Sequence, residues 1–510
     1  MFVRKNRNRS GSTSVQIVSK EHGKYRVVQS VGVSSNPDEI ERLILKADSI
    51  MHVAPEGQQR LFAIKSEEAL ATESFLHEIE NANVHTIGPE LIFGTLFDRI
   101  GFNIVPDILF RHLVIARLAY PCSKLKTVDY LRRYRGEEVS IDAIYRFLDV
   151  LNEQYKAQVE EIAYRYTKTA LKTVSVVFYD MTTLYFEAEE EDDLRKIGFS
   201  KDGKFQQPQI MLGLLVGQNG YPIGYDIFEG NTCESHTLLP ILNQIGKKYN
   251  LPKPVVVADA GLLSNENLKN LSSQDYRFII GARLKNESEK NKEEILKKAL
   301  GMKDGQSFII TKKDGMRLIV TYTDKRVRKD AYNRERGIKK LQRLVKSGRL
   351  TKENINNRGY NKFLTLIGAM SVEIDFEKIA FDKAWDGLKG YITNTKLSPK
   401  IIVENYRHLW QIEKAFRISK SDLRMRPIFH RVRRRIEAHI CIAFVSYTIY
   451  KELERLLYKN RVGFSAKYGA ELTHNMYELE CILPGENSPI KIRFKMDPNQ
   501  QKLYNACRIP

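Results

Sequence analysis

The sequence predicts an α/β protein with a mixed sheet between about Leu171 and Leu457, preceded by a mainly helical region. The runs VVFYD (Val176–Asp180) and VVVAD (Val255–Asp259) are apolar on both faces, which is typical of strands covered on both sides. Three consecutive strands, with a hairpin signal at Gln218–Gly220, are followed by alternating helix and strand patterns. This order favours a sheet of mixed direction.

The charge of the chain indicates a polyanionic partner. Its 82 Lys and Arg residues against 62 Asp and Glu residues give a net charge of +20, which favours nucleic acid, with a membrane surface as the rival. Lys325–Lys362 holds fourteen basic and three acidic residues, so +11 is concentrated in 38 residues. We expect this run to contact the phosphate backbone of DNA, although a solvated helix is the alternative. The candidate DNA-binding residues in this run are Lys325, Arg326, Arg328, Lys329, Lys339 and Lys340.

Several classes of protein are disfavoured. The N-terminus lacks the apolar core of a signal peptide, and no uninterrupted apolar span is long enough to cross a bilayer. The five cysteines lie far apart without a CxxC pair, which disfavours both a zinc finger and a disulfide framework. We therefore expect a cytoplasmic protein without a membrane partner.

At 510 residues the chain is expected to divide into several domains. Strand patterns around Glu21–Gly23 predict a hairpin, while helical spacing with start signals at Pro106 and Ser140 predicts a helical region. That region suits DNA binding, although a plain helical core with a basic face is equally compatible. The predicted segments are an N-terminal β-hairpin and linker (1–86), a helical DNA-binding domain (87–170), a first core part (171–284), a β-rich basic insertion (285–385), a second core part (386–457) and a C-terminal β-hairpin (458–510).

Three acidic residues stand out as candidates for chemistry. Asp180 and Asp259 each follow a valine-rich run, where an ionised carboxylate is costly unless it is paired, solvated or bound to metal. An Asx-type turn continued by Thr182 and Thr183 is the alternative for Asp180. Glu413 borders the apolar stripe of a predicted helix, and an ordinary surface glutamate is the alternative there.

Phosphodiester chemistry explains why three acids would be needed together. Two divalent ions about 4 Å apart activate the attacking oxygen and stabilise the leaving oxygen. Mg²⁺ prefers carboxylate oxygens and keeps open water positions. Clustered carboxylates repel one another, and bound ions remove that repulsion. A basic surround would hold the anionic substrate against this acidic centre.

The order Asp180, Asp259, Glu413, with a large insertion before the glutamate, resembles the DDE transposases of bacterial insertion sequences. The resemblance is to the group with a Tyr-Arg-Glu-Lys signature related to insertion sequence four, Y-x2-R-x3-E-x6-K. Tyr406, Glu413 and Lys420 fall at the expected offsets, but Leu409 occupies the arginine position, with Arg407 as a candidate substitute. The resemblance spans roughly 171–457 and includes the GFSKDGKFQQPQIMLGLLV, DAGLLS and YITNT stretches.

The resemblance implies a ribonuclease-H-like core with a β-rich insertion and a dependence on Mg²⁺, for which Mn²⁺ substitutes. It implies DNA cleavage and strand transfer at terminal inverted repeats by a bacterial, nucleoid-associated protein that acts as a homodimer on double-stranded DNA. In this family pattern the three acids are catalytic metal ligands, while Tyr406 and Lys420 contact DNA. Arg407 is the candidate DNA contact in place of the signature arginine, and burial in the helix packing is the alternative for Tyr406. A nuclease without strand transfer and a catalytically silent DNA-binding descendant are the alternatives, the latter favoured by Leu409.

Three further residues near the signature have two interpretations each. Trp410 either stacks on a displaced base or packs in the core. His430 and His439 either orient phosphates or are structural histidines.

Overall fold

A computed structural model describes residues 1–21, 23–51, 83–200, 203–262, 264–312, 314–347, 350, 355–356, 359–367, 371–482 and 488–508. The chain divides into two compact units, Met1–Glu80 and Asn81–Pro510. In the described residues, no helix is both long and apolar enough to cross a membrane.

The first unit is a three-stranded antiparallel sheet with one helix. Its elements are β1 (Phe2–Arg7), β2 (Thr13–Glu21), β3 (Lys24–Ser34) and α1 (Pro37–Met51). The predicted hairpin is confirmed as β2 and β3, with Glu21 paired to Lys24. The alternation in β2 buries Val15 and Ile17 against Ala47 of α1. His22 and most of the predicted linker, 52–82, lie outside the described residues.

The second unit begins with a short strand and a helical region, as predicted for 87–170. Ser140 caps one helix by accepting a hydrogen bond from the Ala143 amide, while Asp107, the residue after the predicted start signal, caps another. The elements are β4 (Asn83–Thr86), α2 (Thr95–Ile100), α3 (Ile108–Ala119), α4 (Lys124–Tyr130), α5 (Ile141–Val150) and α6 (Lys156–Leu171).

A central eight-stranded sheet of mixed direction follows, which confirms the predicted mixed α/β class. The next elements along the chain are β5 (Val176–Tyr185), β6 (Gln209–Val216), β7 (Pro222–Glu229), α7 (Leu238–Tyr249), β8 (Val255–Ala258), α8 (Asn265–Ser273) and β9 (Arg277–Ala282). Strands β5, β8 and β9 pair in parallel, while β5, β6 and β7 pair antiparallel. The two directions meet at β5, which therefore has a parallel neighbour on one side and an antiparallel neighbour on the other.

The segment predicted as an insertion contributes to this sheet. Its elements are α9 (Glu289–Ala299), β10 (Ser307–Thr311), β11 (Arg317–Tyr322), α10 (Asp324–Lys346), β12 (Leu364–Ile367), β13 (Ser371–Ile374) and α11 (Phe376–Lys383). With β14 (Leu388–Thr393), the full strand order is β10-β11-β14-β9-β8-β5-β6-β7. The first two insertion strands thus extend the central sheet, and β12 and β13 form a separate hairpin.

The predicted helix that carries Glu413 is divided into two. Ser398 caps α12 (Pro399–Arg407), and α13 (Trp410–Arg417) begins after a break at His408 and Leu409. A long helix with mostly buried residues follows, α14 (Arg433–Lys459).

The last elements include the predicted C-terminal hairpin. They are α15 (Ala466–Leu472), β15 (Tyr477–Ile482), β16 (Pro489–Arg493) and α16 (Pro498–Arg508). Strands β15 and β16 pair antiparallel, as predicted, and β15 also pairs with β4 from the start of this unit.

One hydrophobic core joins the helical region to the sheet. Phe110 of α3, Phe178 of β5, Ile412 of α13 and Ile442 of α14 belong to the same buried cluster. The helices before residue 171 therefore pack as part of the unit that carries the sheet, and α14 is the central helix of that packing.

Candidate active site

Asp180 and Asp259 lie side by side on neighbouring strands. The last parallel pair between β5 and β8 is Tyr179 with Ala258, so the two aspartates are the next residues on their strands. Neighbouring strands run about 4.8 Å apart. The register therefore places the two carboxylates next to each other, at the end of the pairing between β5 and β8.

The expectation that β5 ends at Asp180 is wrong, and so is the turn interpretation. The strand continues to Tyr185, and Thr182 and Thr183 pair with Leu212 and Met211 of β6. Both threonines are β-branched and buried, which suits a strand better than a turn. Asp180 instead marks the point where β8 stops. Its Oδ1 accepts a hydrogen bond from the Met181 amide at 2.7 Å.

Asp259 is exposed at the end of β8, as predicted, and is held by a tyrosine. A short 3₁₀ turn, Ala260–Leu262, follows it, with the Leu262 amide donating to the Asp259 carbonyl at 3.1 Å. The Tyr406 hydroxyl donates to Asp259 Oδ1 at 2.9 Å. Gly281 on β9 permits this contact, because a Cβ there would overlap the Tyr406 hydroxyl.

Tyr406 is both packed in the core and directed at the candidate site. Its ring lies edge-on to Tyr391 of β14, with ring centroids 4.9 Å apart. Burial raises the pKa of Tyr406, and the negative charges of Asp259 and Glu413 raise it further. Tyr406 therefore stays protonated and acts as a hydrogen-bond donor.

Glu413 lies in the first turn of α13 with an exposed side chain. The opposite face of α13 buries Ile412, Ala415 and Phe416, and the helix packs on β5 and β6. The Glu413 charge acts on Tyr406, which also contacts Asp259. These interactions place Glu413 in the electrostatic neighbourhood of Asp259.

Lys389 is a site residue that the sequence pattern did not single out. Its ammonium lies 4.4 Å from the centroid of the Tyr406 ring. Burial lowers the pKa of Lys389, as do the charges of Arg326 and Lys329, whereas Asp259 and Glu413 oppose the shift. The available signal was a lysine inside the buried strand LKGYIT, just before the glutamate helix.

A cleft of about 740 Å³ borders Asp259, Lys389 and Tyr406. Arg326 from α10 lines this cleft and pairs with Asp330 at 3.4 Å. The other five predicted DNA contacts on α10 have exposed side chains and do not line it: Lys325, Arg328, Lys329, Lys339 and Lys340. Of the basic run, Arg349, Lys352 and Arg358 lie outside the described residues.

A model of the transposase DDE domain family matches residues 174–449, more than half of the chain. The chain belongs to the transposase DDE domain family. The matched region runs from just before β5 into α14 and so includes all three candidate acids.

Comparison with curated proteins gave no match. Among solved structures, a piggyBac transposase synaptic complex with hairpin DNA is 10% identical, over 76% of this chain and 78% of that chain, with a TM-score of 0.38. The Mos1 transposase paired-end complex with the left transposon end is 12% identical, over 31% and 53% of the two chains, with a TM-score of 0.16.

DDE transposases generally use divalent metal ions, and the donor types at this edge of the sheet fit such an ion. Carboxylate oxygens are the hard ligands that Mg²⁺ prefers, and a pair of them with water and substrate oxygens is a common arrangement. In the described part of the chain, no three Asp, Glu, His or Cys side chains are placed to hold a metal together. The structure thus places Asp180 beside Asp259 and does not gather all three candidate acids into one coordination set.

The remaining residues of the predicted signature differ in exposure. Arg407 is exposed at the end of α12, Lys420 is half-buried in the turn after α13, and Leu409 is buried in the core. Leu409 therefore cannot do the work of a signature arginine. Trp410 is 53% exposed, so the interpretation of Trp410 as a core residue is wrong.

The two histidines after the signature are buried, at 8% exposure for His430 and 5% for His439. His439 Nε2 lies 2.9 Å from the Met425 carbonyl oxygen. This contact supports a structural role for His439, although the other ring nitrogen is buried without a hydrogen-bond partner.

Proposed function

We propose that this protein is an insertion-sequence transposase that cleaves DNA at terminal inverted repeats and transfers the freed strand end to new DNA. The observation that carries the proposal is the side-by-side placement of Asp180 and Asp259 within a transposase DDE domain. The signature spacing further suggests the Tyr-Arg-Glu-Lys group related to insertion sequence four and a ribonuclease-H-like core. Action on bacterial chromosomal DNA would require a cytoplasmic, nucleoid-associated location.

In this proposal Asp180, Asp259 and Glu413 hold divalent metal ions, with Mg²⁺ as the physiological ion and Mn²⁺ as a substitute. When bound, such ions would activate the attacking oxygen and stabilise the leaving oxygen. Glu413 completes the metal site with the two aspartates in this proposal, and this role is supported by the packing of its helix on β5, the strand that carries Asp180.

The chain's other residues position these groups. Tyr406 fixes the Asp259 carboxylate through its hydroxyl. Lys389 provides a positive charge beside Asp259 and Glu413, where an incoming phosphate would add negative charge. Exposed cations of α10, with Arg407 and Lys420, bind the DNA backbone. We propose that two protomers act together so that both element ends are held at once.

The test uses a plasmid with the gene's own flanking DNA around a marker, purified protein and Mg²⁺. We expect wild type to give cleaved ends and joined products. Asp180→Asn, Asp259→Asn and Glu413→Gln should each abolish both products while leaving DNA binding intact. Glu404→Gln, an exposed glutamate on neighbouring α12, is the matched control and should behave as wild type.

Two results would contradict the proposal. Cleavage without joining would indicate a nuclease, since the same carboxylates serve hydrolysis. DNA binding with neither reaction, in Mg²⁺ or Mn²⁺, would indicate a silent DNA-binding protein, the outcome that Leu409 in the arginine position favours. Retained cleavage in one acid variant would remove that residue from the catalytic set.

A further inference from the structure

A second cavity, of about 480 Å³, lies between the helical region and the chain that follows α13. Seven basic or histidine side chains that line it define what we call the cationic cavity: Arg117, Lys124, Lys126, Arg424, Arg426, His430 and His439. They come from α3, α4, the 424–430 segment and α14. In the described residues, no aspartate or glutamate lines this cavity.

The two most buried cations of the cavity lack an acidic partner. Arg117 is 5% exposed and Lys124 is 6% exposed. Arg117 Nη1 donates to the carbonyl oxygens of Leu423 at 3.3 Å and Arg424 at 3.2 Å. Within the described ranges, neither Arg117 nor Lys124 forms a salt bridge with a carboxylate. Burial of two unpaired positive charges is costly, and a bound anion would offset that cost.

The neighbouring groups also favour an anion. Burial lowers the pKa of Arg117 to about 10 and lowers the pKa of Lys124 well below its usual value, and a bound anion would oppose both shifts. Burial with the charges of Lys124 and Arg117 lowers the pKa of His430 to about 3. His439 Nδ1 is buried without a hydrogen-bond partner. Nearby Arg435 is already paired with Asp149.

The cavity is connected to the candidate active site by one strand. The Ile428 amide donates to the Tyr185 carbonyl at 3.2 Å, and the Arg426 guanidinium lies 5.9 Å from the centroid of the Tyr185 ring. Tyr185 ends β5, five residues after Asp180. At about 3.3 Å per residue this is about 16 Å along the strand, a span that a bound DNA strand crosses in a few nucleotides.

We propose that the cationic cavity binds a phosphate group of the DNA, at a distance from the phosphate that reacts. Arg117 presents the planar fork that suits phosphate oxygens, and Lys124 adds a compact positive charge beside it. That the phosphate belongs to DNA rests on the proposed function, whereas the preference for a phosphate group follows from the residues of the cavity. A free phosphate ion has the same chemistry and is the alternative source.

The first experiment measures binding of the full chain to a labelled duplex of the gene's flanking DNA, without divalent metal, over a range of salt concentrations. Lys124→Met removes the charge with little change in volume. We expect the slope of log K against log salt to fall by about 0.9, with binding about eightfold weaker at 0.1 M salt. Lys168→Met, an exposed lysine of α6 outside the cavity, should match wild type. An unchanged slope in folded Lys124→Met would overturn the proposal for DNA.

A second experiment distinguishes the two sources. Inorganic phosphate should raise the Tm of wild type above that in chloride of equal ionic strength, and Lys124→Met should lose this effect. Protection by phosphate together with an unchanged DNA slope would assign the cavity to a free ion and overturn the DNA source. If Lys124→Met does not fold, Arg426→Gln replaces it in both experiments. Because no cleavage is measured, failure of the transposase reaction cannot be confused with failure of this proposal.

Discussion

The hydrogen bond from Tyr406 to Asp259 connects the buried core to a candidate catalytic carboxylate. The tyrosine ring is fixed by Tyr391 and by the absence of a side chain at Gly281, so its hydroxyl has a defined position. Asp259 itself is exposed and follows the end of its strand. Without the tyrosine, the carboxylate would have more rotational freedom, and a metal-binding carboxylate works best when a neighbour orients it.

Tyr406→Phe tests this orienting role. The ring packing remains, so the free energy of unfolding should change by less than about 1.5 kcal/mol. The rate of DNA cleavage should fall about tenfold or more, as for loss of an outer-shell partner of a metal ligand. Single-turnover cleavage and urea unfolding measure the two effects. Tyr391→Phe, which alters the neighbouring hydroxyl, is the control and should retain activity. Equal activity of Tyr406→Phe and wild type would show that the bond is structural only.

Lys389→Met tests a buried charge whose pKa is lowered in the folded state. In the pH range between that lowered pKa and 10.5, the unfolded chain binds more protons than the folded one, so wild-type stability rises with pH. At pH 7 the variant should therefore melt at a higher temperature than wild type, and this advantage should shrink as the pH approaches 10. DNA cleavage by the variant should fall sharply, because it removes a positive charge that would face the phosphate.

Thermal unfolding at pH 7, 8, 9 and 10 measures the effect of Lys389→Met. Lys396→Met, an exposed lysine shortly after the same strand, is the control and should show no such trend. A variant that is less stable than wild type at pH 7 would contradict the expected sign of the pH dependence.

Local sequence pattern was sufficient to predict Asp259 at a strand end, and signature spacing singled out Tyr406. Local sequence pattern did not identify Lys389, because the position of Lys389 beside Tyr406 depends on the pairing of β14 with β9. The cationic cavity could not be predicted for the same reason, because Arg117 and His430 are far apart in sequence. Trp410 fits the helical spacing of a core residue, but the break before α13 leaves it exposed.

At the scale of elements, α10 is the most basic helix near the candidate site. Eight of its cations are exposed, while Arg334 is buried and pairs with Asp386 of the cleft. That ion pair ties the helix to the segment before β14. A solvated helix and a DNA-binding helix have the same local sequence pattern, so the sequence could not decide between them. The two roles differ in how removal of the basic side chains would change the salt dependence of DNA binding.

Replacement of five exposed α10 cations by Gln tests DNA contact, at Lys325, Arg328, Lys329, Lys339 and Lys340. The slope of log K against log salt should fall by about 0.9 for each phosphate that the protein no longer binds, so we expect a decrease of roughly 2 or more. Thermal stability should stay close to that of wild type, because these side chains are exposed. Lys290→Gln with Lys297→Gln, on the exposed face of α9, is the control. An unchanged slope would show that these α10 side chains face solvent and do not contact DNA.

The order of strands also separates what pattern predicts from what it does not. Valine-rich runs were sufficient to predict β5 and β8, and alternation of helix and strand predicted their neighbours. The joining of β10 and β11 to the central sheet depends on contacts between residues far apart in sequence, so local periodicity could not predict it. The continuation of β5 through Thr182 and Thr183 was missed because threonine is common in turns as well as in strands.

For the second unit, the shared core has a consequence for stability. The helical region before residue 171 contributes Phe97, Phe102 and Phe110, and these rings pack in the cluster that contains Phe178 of β5. Helix α14, with most of its residues buried, lies against α3, α5 and α6. The helices are therefore expected to unfold together with the strand that carries Asp180.

Phe110→Ala tests this coupling. Phe110 is fully buried, and its truncation should lower the free energy of unfolding by about 3–5 kcal/mol. Hydrogen exchange by mass spectrometry should then show faster exchange in β5 and β8, by about two orders of magnitude or more, as well as in α3. Leu125→Ala, at a position 64% exposed on α4, should leave both regions unchanged. Faster exchange confined to α3 and its helical neighbours would show that the helices open without the sheet, and that the site at Asp180 does not depend on them.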